Sequence, residues 1–229
     1  MNTGIPVPTR ARRAWAVLAG VAGLVAALAV ASWTAHLPST RTVYRAAAAA
    51  VTDAPSWVQH VAETAAETGI AALAALVLVL TWRARSVGAA ALTRALVASG
   101  GVVVAYATSE VLKFVLAQPR PCATLRVAAL AQSPCPGDWS LPSNHATIAA
   151  ALAAAVVLVA PRWAAPSVAA ALVVAAARVG TGVHHPHDVL TGLAVGAGVV
   201  AVAALVLDRP VRALLHAAAG RWPAIVARS

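Results

Sequence analysis

The chain has 229 residues, 61% of them hydrophobic and 10% charged, with 17 Lys and Arg against seven Asp and Glu for a formal net charge of +10. A soluble domain is less apolar and about a quarter charged, so the composition excludes an ordinary water-soluble globule and points to an integral membrane protein. The positive excess does not require nucleic acid, because a nucleic-acid binder gathers Lys and Arg on one surface or arm, whereas here they are scattered between apolar runs.

In chain order, residues 1–13 carry Arg10, Arg12 and Arg13 and precede an uncharged apolar run over 14–35, the first predicted span. A hydrocarbon core about 30 Å thick takes roughly 20 helical residues. The run is longer than the apolar stretch of a cleaved signal, roughly 7 to 15 residues, so a retained anchor is expected in spite of the small-residue pattern Ala29-Val30-Ala31. The five alanines at 46–50 read as compositional bias. Further spans are predicted over 60–82, 95–116, 145–160, 163–177 and 189–207. The fourth and fifth have the length of buried or re-entrant segments, and they are counted as spans because an even number keeps both ends on the basic side.

The expected fold is therefore an all-α bundle of six transmembrane helices over 14–207, with a cytoplasmic segment 1–13 and a basic cytoplasmic tail 208–229. Eleven basic residues then lie inside. Six lie outside, namely Arg41, Arg45, Lys113, Arg120, Arg126 and Arg178, in agreement with the positive-inside rule.

This topology collects the unusual polar residues on the outer face. Lys113, the single lysine, sits near the outer end of the third span in "KFVLAQPRP"; alone it would read as a snorkelling interfacial lysine, paired with Glu110 one turn earlier. Pro119 disfavours helix at Gln118, so Arg120 follows the helix end and can curl back towards Lys113. In "LPSNHAT", Ser143 reads as the N-cap of the fourth span, with Asn144 and His145 in a first turn whose free N–H groups favour an anion. In "ARVGTGVHHPHDVL", Pro186 suits the first turn of the last span, which leaves His184 just before it and Asp188 in its opening turns, within reach of a ring nitrogen of His184. His185 and His187 flank the proline without a cysteine or carboxylate cluster, which disfavours a metal site. Glu63 and Glu67 stack near the outer end of the second span without an assigned role.

Lys113, Arg120 and Arg178, with Ser143 and helix-end N–H groups, make a receptor for a tetrahedral oxyanion such as phosphate. Two histidines on different helices supply a nucleophile and a proton donor, the requirement for cleaving a phosphate ester.

With these residues in their order and spacing, the chain resembles the type 2 phosphatidic acid phosphatase (PAP2) superfamily over roughly residues 60–207. The three motifs are Lys113 with Arg120-Pro121, Pro142-Ser143 with His145, and Arg178 with His184 and Asp188. The resemblance implies that His184 attacks phosphorus to form a phosphohistidine while Asp188 orients its ring, and that His145 protonates the leaving oxygen. It implies that Lys113, Arg120, Ser143 and Arg178 hold the phosphoryl oxygens, and that no metal or cofactor is needed. The chain departs from the pattern at Ala177, where the family usually has Ser, and at Asn144, where it often has Gly. Counting five residues after Arg178 and three before Asp188 selects His184 over His185 and His187 as the nucleophile.

Cys122 and Cys135, the only cysteines, both fall in the outer loop, where a disulfide is expected. The implied partner is a lipid phosphate in the bilayer of the cell membrane, of polyprenyl diphosphate, phosphatidate or phosphatidylglycerol phosphate type, met at the extracytoplasmic face. The rivals are a vanadium-dependent haloperoxidase, which shares the anion pocket but is largely soluble, and a non-catalytic lipid-phosphate binder or transporter, against which the histidine pair argues.

Overall fold

The computed structural model describes residues 37–125 and 137–221, and among them helices are the only regular structure. Helix α1 (Pro38–Thr52) begins with proline in its first turn, where the missing N–H costs nothing. It was not anticipated from the sequence. Its apolar face is narrow: Tyr44 and Ala48, four residues apart, are fully buried, while Arg41 and Arg45 are exposed. Tyr44 Oη donates to the Gly182 carbonyl at 2.9 Å, which docks the helix on the bundle.

Helices α2 (Ser56–Val87) and α3 (Ala89–Leu116) are joined by Gly88 at φ 129°, a conformation that only glycine adopts without strain. Helix α3 stops as expected before Pro119, with Ala117 in the left-handed region and its N–H on the Lys113 carbonyl. A single turn, α4 (Pro121–Thr124), follows. Helix α5 (Asn144–Val159) is rich in alanine and valine and is buried along most of its length. After a 3-10 turn at Pro161–Trp163 come α6 (Ala164–Gly180) and α7 (Pro186–Arg221). Helix α7 starts at Pro186 as expected and runs past the anticipated end of the last span, through Pro210.

Four segments are long and apolar enough to cross a membrane: Ser56–Val87, Ala89–Thr124, Pro161–Gly180 and Pro186–Ala217. Asn144–Val159 is shorter, about 24 Å at 1.5 Å per residue. The span expected over 14–35 lies outside the described residues. Leu78 and Phe114 are 70% and 75% exposed, and with their exposed apolar neighbours they give the outside of the bundle the surface that lipid solvates.

Helix α5 is the central element and packs on α2, α3, α6 and α7. Its contact with α7 is close because Gly192 and Gly196 lie there: a Cβ on Gly192 would meet the Ser143 carbonyl oxygen at 2.6 Å, and one on Gly196 would meet Ala151 N at 2.9 Å. Small residues four apart let two membrane helices approach to backbone contact. The bundle thereby brings together the C-terminal ends of α3 and α6 and the N-terminal ends of α5 and α7, the places where the sequence puts its charges.

Candidate active site

Lys113, in the last turn of α3, and Arg120, just beyond it, are both buried and share one counter-ion, Asp138. Arg120 Nε and Nη2 donate to the two Asp138 carboxylate oxygens at 2.8 and 2.9 Å, and Lys113 Nζ donates to Oδ2 at 3.2 Å. This fork is the geometry in which guanidinium binds a planar or tetrahedral oxyanion. Hydrogen bonding from Arg120, helped by the charges of both cations, holds the Asp138 carboxyl well below the usual carboxylate range. Glu110, expected to pair with Lys113, lies 4.0 Å from its ammonium nitrogen.

The free side of Arg120 faces the histidine motif. Its Nη1 lies 3.1 Å from both the Val183 carbonyl oxygen and His184 Nε2. His184 is 1% exposed. Burial, opposed by Asp188, pushes its imidazole down to about 4, so the ring is neutral at physiological pH and keeps a lone pair.

Asp188 lies behind His184, and the contact is less direct than expected. The Nδ1 to Oδ2 distance is 3.6 Å, beyond hydrogen-bond range. Ser140 bridges the gap, its Oγ donating a short hydrogen bond to Asp188 Oδ2 and lying 3.4 Å from His184 Nδ1. The same oxygen accepts from the His185 N–H at 2.7 Å, and Oδ1 accepts from Gln118 Nε2 at 3.1 Å. Gln118 and Ser140 carried no signal in the motif spacing; they reach the carboxylate because the Ser140 N–H bonds the Gln118 carbonyl at 2.7 Å.

Among the three histidines, His184 is the one next to Arg120. His185 packs its ring on Tyr44 at 5.1 Å between centroids and stacks on His187. His187 Nε2 lies 3.1 Å from Asp188 Oδ1.

Ser143 occupies the N-cap position of α5 but makes no capping bond with its side chain. Its N–H binds the Asp188 carbonyl at 3.1 Å, which locks the start of α5 to the start of α7. Ser143 Oγ and Arg178 Nε are both buried without a hydrogen-bond partner among the described residues, an arrangement expected of donors kept for a ligand. Arg178, at the end of α6, acts electrostatically on Arg120, His184 and His145. Two guanidinium groups at close quarters favour an anion between them.

Among the described residues, His145 has no hydrogen bond to the His184 cluster. Its Nε2 lies 2.7 Å from Glu67 Oε1 of α2, a partner missed in the sequence. Asn144 turns the other way, accepting from Ser109 Oγ at 2.7 Å and donating a short hydrogen bond to Glu110. The side chain that stands where the family often has glycine is thereby tied to α3. Cys122 lies in the single turn α4, and Cys135 lies outside the described residues.

Residues 94–212 match the PAP2 superfamily, a little over half of the chain. A stretch of 95 residues is 38% identical to an undecaprenyl-diphosphatase of Sulfolobus acidocaldarius, covering 41% of this chain and 46% of that one. Another of 84 residues is 38% identical to a lipid A 1-phosphatase of Rhizobium johnstonii, covering 37% and 34%. The matches thus span less than half the length of either curated relative. The fold is similar to the crystal structure of a transmembrane PAP2-type phosphatidylglycerolphosphate phosphatase from Bacillus subtilis, with a TM-score of 0.57 and 21% identity over 86% of this chain and 96% of that one. Sequence match and helical fold agree with the motif residues gathered at the helix ends: the chain belongs to the PAP2 superfamily.

Proposed function

We propose that this protein is a membrane-embedded, metal-independent phosphatase that hydrolyses a lipid phosphate or diphosphate through a phosphohistidine on His184. One observation carries the reading: Ser143 Oγ and Arg178 Nε, both buried and without a hydrogen-bond partner among the described residues, accompany the Lys113–Arg120 cation pair and a neutral buried histidine. Such a set of donors suits the three equatorial oxygens of a phosphoryl group and offsets their charge as the transition state forms.

In the first step the His184 Nε2 lone pair forms a bond to phosphorus while the bond to the lipid oxygen breaks, and His145 gives that oxygen a proton. In the second, water attacks phosphorus, His145 takes its proton, and phosphate leaves with His184 restored. Asp188, held by Ser140, Gln118 and the His185 N–H, keeps the imidazole oriented. The substrate class follows the names of the relatives, which act on polyprenyl diphosphate and lipid A phosphate, and the fold neighbour, which acts on phosphatidylglycerol phosphate. An apolar exterior beside a cationic centre suits a substrate whose tail stays in the bilayer, approached from the extracytoplasmic face.

The test is phosphate release by detergent-purified protein from polyprenyl diphosphate, phosphatidate and phosphatidylglycerol phosphate, in EDTA, beside His184→Ala. Release that survives EDTA and vanishes in the variant is expected. Release that depends on added metal, or that persists in the variant, would refute the mechanism.

A further inference from the structure

Glu67 is a carboxylate on an apolar helix that supplies none of the family motifs. A charge in such a helix is costly and marks a functional position. Its side chain is 70% exposed, and its one salt bridge among the described residues is to His145, at 2.7 Å. No arginine or lysine on α2 competes for it, because Arg83 and Arg85 lie four turns further along. The charged groups acting on the His145 ring are Glu67, Arg178 and Arg120.

We infer that Glu67 is the positioning residue of the general acid: it holds His145 by Nε2 and leaves Nδ1 to carry the proton that the reaction moves. This inference rests on the phosphatase reading. Among the described residues no protein hydrogen bond occupies Nδ1.

Proton balance follows directly. As the imidazolium, His145 donates Nε2–H to Glu67 and Nδ1–H to the leaving oxygen, which takes the electron pair of the broken phosphorus–oxygen bond and the proton. The neutral ring that remains still donates Nε2–H to Glu67, so its free lone pair is on Nδ1, ready to take a proton from the attacking water. When the phosphorus–nitrogen bond to His184 breaks, His145 is again the imidazolium. Glu67 never changes protonation state; it fixes the tautomer and stabilises the charged form, the role of the carboxylate beside the histidine in a catalytic triad.

A structural tie between α2 and α5 would affect all substrates alike, whereas a positioning role depends on the leaving group. Glu67→Gln is isosteric at an exposed site. In this variant kcat for a lipid monophosphate is expected to fall about 100-fold with KM within a few-fold, the range for loss of general acid catalysis. With p-nitrophenyl phosphate, whose leaving group needs no proton, the first turnover should be preserved. A burst of one p-nitrophenolate per protein should then precede slow turnover, because water activation still needs His145.

Glu67→Asp should recover part of kcat, and Glu63→Gln should behave as wild type. Adding Glu67→Gln to His145→Ala should cost nothing more. Equal losses on both substrates without a burst, no loss at all, or an additive loss on the His145→Ala background would each overturn the inference while leaving the phosphatase reading intact. Absence of phosphate release by the wild-type protein from every lipid would overturn that reading, and this inference with it.

Discussion

Asp188 is fully buried and accepts from Ser140, Gln118 and the His185 backbone while lying 3.6 Å from His184 Nδ1. Such a carboxylate is a fixed negative end against which the nucleophilic ring is set. Asp188→Asn keeps the shape and removes the charge, and is expected to lower kcat by about 10⁴-fold, as when a triad carboxylate is neutralised. Ser140→Ala removes one donor to a charged acceptor, a change of about 1.5–3 kcal/mol, and should lower kcat roughly 10- to 100-fold; both effects are read as steady-state kinetics. His184 also has a pH signature. Burial pushes it from the ordinary 6.5 down to about 4. The folded chain therefore resists its protonation, so stability from this group is present in full above about pH 6.5 and is lost progressively as pH falls towards 4. A nitrogen NMR titration of the folded protein should place its midpoint near 4; one near 6.5 would contradict the burial. The cations and histidines of the motifs were legible in the sequence because their fixed spacings at helix ends encode one cluster. Ser140, Gln118, Asp138 and Glu67 were not, because each arrives through a turn or a neighbouring helix; Glu67 meets His145 across 78 positions of chain.

At the level of elements, the site depends on how closely α5 and α7 approach. Gly192→Ala places a methyl group 2.6 Å from the Ser143 carbonyl oxygen and 3.1 Å from the Thr147 N. Backbone cannot yield cheaply, so this substitution is expected to destabilise by about 1–3 kcal/mol, seen as a lower thermal midpoint in detergent. It should also lower activity beyond the stability loss, since Ser143 would shift. Long apolar runs made α2, α3, α5 and α6 legible, with ends within about six residues, and they also made α7 legible, which continues to Arg221, well past the predicted end at 207. Helix α1 was not: its alanines looked like composition, when in fact they let Tyr44 and Ala48 seat against the bundle. Tyr44→Phe removes the bond to Gly182, beside the histidine motif, and should cost about 1 kcal/mol by the same measurement.

On the scale of the whole molecule, charge distribution and site position are linked. The site gathers where α3 and α6 end and α5 and α7 begin. The proposed orientation turns that end outward and leaves Arg83 and Arg85, at the far end of α2, inside. Single cysteines added beside Gly137 and Arg85 in intact cells should separate the two: an impermeant thiol reagent should label only the first. The proposed Cys122–Cys135 bond belongs to the same outward loop, and thiol counting should find two thiols after reduction and none before. The central claim is the covalent intermediate on His184. Brief reaction of the purified protein with a radiolabelled lipid phosphate, quenched in alkali and mapped by peptide, is expected to give an alkali-stable, acid-labile phosphate on the peptide carrying His184, absent from His184→Ala. Phosphate on His185 or His187, or active turnover with no phosphoprotein at any quench time, even in Glu67→Gln given labelled p-nitrophenyl phosphate, would contradict it.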